Sequence, residues 1–140
     1  MGIFKNVANF VTGGAADVQI ELIKPVLDDQ LELEVVIRVK PTGETIHAKR
    51  LYVEAQAVEK SSTTNVLFKI EHVLEEELQI NKGDEKEWKY KLMFPDDVPP
   101  TYLAKYFTVK WEIKASLDMP GVDPNSGWQP FVLNKEIDFN

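Results

Sequence analysis

MFPDDVPPTYLAKYFTVKWEIKASLDMPGVDPNSGW, Met93–Trp128, holds a Pro-rich turn, one long alternating segment and a second turn dense in Pro, Gly, Asp and Asn. From its middle, Phe107, Val109, Trp111, Ile113, Ala115 and Leu117 recur at every second position, with Thr108, Lys110, Glu112, Lys114 and Ser116 between them. Strict alternation places successive side chains on opposite faces of an extended chain. It predicts a half-buried antiparallel strand and excludes an amphipathic helix, whose apolar residues would recur at three and four.

The same pattern extends outward in both directions. Val18, Ile20 and Leu22 alternate with Gln19 and Glu21 until Pro25 removes a backbone donor. Leu31, Leu33, Val35, Ile37 and Val39 follow, then a Pro41-Thr42-Gly43 turn. In Ile46–Val58 the inward set is Leu51, Val53, Ala55 and Ala57, and its small alanines imply bulky residues crossing close by from the opposite sheet. Val66–Leu74 carries Val66, Phe68, Ile70 and His72 on one face; helix propensity over Glu71–Gln79 competes, but the neighbouring alternation favours strand. Glu75, Glu76 and Glu77, with Asp84 and Glu85, read as a solvated hairpin tip, and Asn81–Asp84 as a tight turn. Trp88, Tyr90, Leu92 and Phe94 form another inward set, and Phe131, Leu133, Lys135, Ile137 and Phe139 the last.

About seven strands separated by turn signals, with almost no helix, predict an all-β, two-sheet antiparallel sandwich of immunoglobulin-like type. Only the N-terminus departs from this. Ile3, Phe4, Val7, Phe10 and Val11 share one side of a helix that Thr12, Gly13 and Gly14 end. The expectation is a short amphipathic helix within residues 1–15, packed on a single domain formed by residues 16–140. A membrane-surface role for it is poorly supplied with charge, since Lys5 is its one basic residue.

A chain of 140 residues with 44% hydrophobic content fits one domain with a real core. Its net charge of -7 and pI near 4.9, with Lys and Arg scattered among acids, give no electrostatic reason to bind nucleic acid. The absence of cysteine removes disulfides, thiol nucleophiles and thiolate metal sites. No apolar run approaches the roughly twenty residues that span a bilayer, and the N-terminus lacks a secretory pattern. The expectation is a cytoplasmic protein with at most indirect membrane contact.

Chemistry-bearing patterns are sparse. The two histidines, His47 and His72, fall in no catalytic motif, and no nucleophile elbow, zinc-helix or phosphate-loop signature is present. No catalytic residue and no cofactor is expected, and the reading is of a non-enzyme. Asp118, Asp123 and Asn125 lie in one loop whose D-P-N-S-G partly imitates the alternating oxygen ligands of a calcium site, although no bidentate Glu follows at the required distance. Asx residues beside Pro120, Gly121, Pro124 and Gly127 are explained more simply by turn chemistry. A calcium- or carbohydrate-binding loop using Asp118, Asp123, Asn125 and Trp128 stands as the alternative reading.

Val98–Gly121 resembles the arrestin-like family at the last long strands of its N-terminal-type domain. The match runs through a Pro-Pro-Thr-aromatic turn (Pro99, Pro100, Thr101, Tyr102), a Lys-aromatic step (Lys105, Tyr106), and a strand carrying Val109, Trp111, Ile113, Lys114, Ala115 and Leu117 in register. Phe94-Pro95 is similar to the element that precedes that turn, and the apolar N-terminal helix is similar to the bacterial sporulation-control branch. The family's Pro-Gly-x-x-Val-x-Gly step is not kept: Lys24–Leu31 lacks both glycines. That branch carries two sandwich domains, and this chain corresponds to the first. The resemblance implies a non-enzymatic adaptor that binds protein partners, of unstated identity, through sandwich faces and loops. Pairing with a second copy, over the surface a second domain would cover, is a further expectation.

Overall fold

The computed structural model describes residues 14–27 and 31–134, and within them every regular element is a strand. These are β1 (Ala16–Leu22), β2 (Val26–Leu27), β3 (Glu32–Pro41), β4 (Ile46–Lys60), β5 (Thr64–Ile80), β6 (Lys86–Met93), β7 (Tyr102–Leu103), β8 (Thr108–Asp118) and β9 (Gln129–Leu133). A three-stranded sheet in the order β1-β3-β6 faces a six-stranded sheet in the order β2-β9-β8-β4-β5, with β7 added to β8. The predicted N-terminal helix and the continuation of the last strand past Asn134 lie outside the described residues.

The core forms where the two alternating faces meet. Val18, Ile20, Leu33, Val35, Ile37, Val39 and Leu92 come from the small sheet, and Leu51, Val53, Ile113, Leu117 and Leu133 from the large one; all are buried. Burying each such aliphatic side chain stabilises the fold by roughly 1.5–3 kcal/mol. Around Ala57 the small side chain lets its two register neighbours, Phe68 on β5 and Trp111 on β8, bring their ring centroids to 5.9 Å across it. Phe94, following β6, meets Trp111 edge-on at 5.2 Å. The bulky register neighbours of Ala57 therefore come from its own sheet, where the sequence reading looked for them in the opposite one.

Four expectations need correction. Among the described residues nine strands replace seven, because β2 and β7 are two-residue pairings too short to show periodicity. The sheets are antiparallel except where β2 runs parallel to β9; Pro25, which cannot donate, there accepts a bond from Val132 N at 2.8 Å. Glu75–Glu77 is not a hairpin tip but part of β5, which continues to Ile80 before the Asn81–Asp84 turn. Phe107 is exposed and precedes β8, so the buried alternation begins at Val109.

β5 is also irregular. Leu67 and Leu74 are extra residues relative to β4, and Glu77 takes a left-handed φ of 50°. Opposite Glu77, the inward set of β4 passes from even positions (Ile46, Ala48) to odd ones (Leu51, Val53). Such bulges bend and twist a strand where its face assignment changes.

Candidate functional site

The edge of β8 that faces away from β4 is shared by three segments in succession. β7 takes Thr108 and Val109, β9 takes Trp111–Ile113, and the Asp118–Trp128 loop takes the rest through a bridge between Ser116 and Asn125. The Pro99–Tyr102 turn makes the first handover possible. Its Pro99 carbonyl accepts the indole N–H of buried Trp111 at 2.8 Å, and Thr101 exchanges two 2.9 Å bonds with Leu133 at the end of β9. Trp111 also packs against Phe131 at 5.7 Å, so turn, strand and core are locked by one side chain.

Beyond Thr101 the chain turns outward as a short hairpin closed by Ala104 N to the Phe107 carbonyl, 3.1 Å. Tyr102 and Phe107 stack with centroids 5.0 Å apart, both with exposed rings. Leu103 is 70% and Tyr106 80% exposed, and the Lys105 ammonium lies 5.4 Å above the Tyr106 ring. The residues of the sequence motif thus separate into two groups. Pro99, Pro100, Trp111 and Ala115 build the scaffold, whereas Tyr102, Lys105 and Tyr106 stand in solvent on the hairpin; Lys114 belongs to a third region.

That region is the outer face of the large sheet, where Tyr52 and Glu54 are buried although they point away from the core. Glu54 forms ion pairs with Lys69 at 2.8 Å and, more loosely, with Lys114 at 3.9 Å. Arg50 pairs with Glu71 and, at 3.2 Å, with Asp118, while its guanidinium lies 4.4 Å above the Tyr52 ring. Gln56 bonds Glu112, and Lys114 also covers Trp128 at 4.7 Å. Burial, reinforced by donation of its O–H to Asp123 at 3.0 Å, pushes the Tyr52 phenol up to about 12. The hydrogen bond to Glu54 raises Lys69, and those to Glu71 and Asp118 raise Arg50. All three shifts move Tyr52, Lys69 and Arg50 further from neutrality, the opposite of what a general acid or base working there needs.

The Asp118–Trp128 loop closes this face. Asp123 accepts Met119 N at 3.1 Å besides the Tyr52 hydroxyl, and Asn125 receives Gly127 N at 2.9 Å. Ser126, which sequence reasoning passed over, is buried; its Oγ accepts Ala115 N at 3.0 Å and donates to the Gly127 carbonyl at 2.9 Å. Asp118, Asp123 and Asn125 are therefore brought into one loop, with their oxygens turned to protein donors. Among the described residues no group of three or more His, Asp or Glu is placed to hold a metal ion. The histidines do not converge: His47 is exposed on β4, and His72, bonded through Nδ1 to Tyr90 at 2.6 Å, sits opposite Val53. Six residue steps along the strand from position 47 to position 53 separate the two levels by about 20 Å. No helix among the described residues is long and apolar enough to cross a membrane.

No family model and no curated protein matches the sequence. The fold, by contrast, matches 94 chains of solved structures. Among them is Spo0M, a sporulation control protein from Bacillus subtilis, with a TM-score of 0.67 at 17% sequence identity. The match covers 86% of this chain and 49% of Spo0M, so the chain spans about half that protein's length. At this identity the likeness is one of fold.

Proposed function

We propose that this chain is a non-enzymatic, arrestin-like interaction module that presents the Tyr102–Phe107 hairpin to a protein partner. The observation that carries the reading is the exposure of Leu103 and Tyr106 on a hairpin whose base is anchored to the core by Trp111 and Thr101. Folding does not require these side chains to be apolar. Aromatic residues on a rigid support are the residue types that dominate binding energy at protein interfaces. The outer-face network, with its charges paired to one another, favours a scaffold over a catalyst. A regulatory role in the cytoplasm extends the analogy with a sporulation control protein, and the cysteine-free composition agrees with that compartment.

The test is affinity capture from the native host cell with the full chain and with a Leu103→Ser/Tyr106→Ser double variant. The reading expects a partner held by the first and lost by the second, at equal melting temperature. The alternative, a calcium- or carbohydrate-binding loop, would need Asp123 and Asn125 to release Tyr52, Met119 and Gly127. A ligand that binds only the native state must raise the melting midpoint. No shift is expected with calcium in the millimolar range; a rise of several degrees would favour the loop.

A further inference from the structure

β5 is a 17-residue strand at one end of the large sheet, paired with β4 on one side and, among the described residues, with no strand on the other. Long edges of this kind template pairing with another chain and are usually blunted by charges, proline or bulges. Here the extra residues Leu67 and Leu74 interrupt the ladder at each end and leave Phe68–Val73 as a regular window. Val66, Leu67 and Val73, in and beside that window, are 54%, 45% and 42% exposed.

The window is complementary to itself. Directly opposite residues in an antiparallel pair share a face, so a two-fold axis between two copies of β5 must pass through one residue paired with its own counterpart. An axis at Lys69 sets Lys against Lys, and one at Glu71 sets Glu against Glu. At His72 it sets two histidines together and leaves Glu71 against Val73. An axis at Ile70 alone pairs Lys69 with Glu71 twice, Phe68 with His72, and Leu67 with Val73 at the margins. We propose that this edge is the site of self-association, joining β5 of two copies antiparallel about Ile70 into one continuous sheet. The inference stands apart from the hairpin reading.

The chain has no cysteine, which makes one substitution decisive. In this register the two copies of position 70 lie about 5 Å apart between Cα atoms, within disulfide reach, whereas the two copies of position 71 lie about 8 Å apart, beyond it. Mild oxidation of Ile70→Cys is expected to give a covalent dimer, and Glu71→Cys to stay largely single. Light scattering of the wild-type chain at about 100 µM should report a mass above one chain, as a small, reversible interface allows. Lys69→Glu should weaken association about thirtyfold by turning two attractive pairs repulsive, and Lys69→Glu/Glu71→Lys should restore it. The double exchange also reverses the internal pairs to Glu54 and Arg50, so a melting curve confirms that each variant is folded. Three results overturn the proposal. One is a single-chain mass at every concentration, which would mean that the edge is covered by another segment or by a different protein. Another is cross-linking of Glu71→Cys as fast as Ile70→Cys. The third is a folded double variant that remains single.

Discussion

Trp111 joins three parts of the protein. Its ring fills the space between Phe68, Phe94 and Phe131, and its N–H is satisfied by the Pro99 carbonyl, so the core and the hairpin base depend on one residue. Trp111→Ala is expected to lower stability by about 3–5 kcal/mol in urea unfolding, through the cavity and the stranded carbonyl. Trp111→Phe, which keeps most of the ring, should cost less than half of that. Tyr52 makes a second residue-level prediction. Its phenol titrates near 12 in the folded chain against about 10 unfolded, so the native state keeps a proton that the unfolded state loses. Its contribution is complete below pH 10 and disappears as pH rises from 10 to about 12. Stability should fall with pH across that interval, and Tyr52→Phe should flatten part of the fall.

At the scale of elements, the loop after β8 behaves as a strand that never quite forms. Ser126 supplies with a side chain the bond that a neighbouring strand's carbonyl would supply to Ala115 N. Ser126→Ala should therefore cost about 1–3 kcal/mol and loosen the loop, measured as faster amide exchange at Ala115. What could be read in advance divides along the same line. The alternation of Val109–Leu117 is a property of the segment itself, so β8 and its buried face were legible, as were β1, β3, β4 and β6. The pairing of β2 with β9 and of β7 with β8 depends on contacts between distant segments, and two residues carry no period. Glu75–Glu77 looked like a tip because charge marks exposure, and an edge strand is exposed without being a turn. Ser126 left no signal because its role comes from where β8 places Ala115. Within the motif, spacing could align Tyr102, Lys105 and Tyr106 with Trp111 but could not say which would be buried.

For the whole molecule, the two sheets, the shared β8 edge and the paired charges of the outer face together make the support from which the Tyr102–Phe107 hairpin projects. The two surfaces proposed for contact with other molecules are the Tyr102–Phe107 hairpin at the start of β8 and the outer edge of β5. The hairpin carries the functional reading, and titration of the captured partner against the full chain and against the Leu103→Ser/Tyr106→Ser variant tests it most directly. Removing two exposed apolar anchors should weaken binding at least about tenfold while the melting temperature stays the same. Equal affinities for the two chains would contradict the reading.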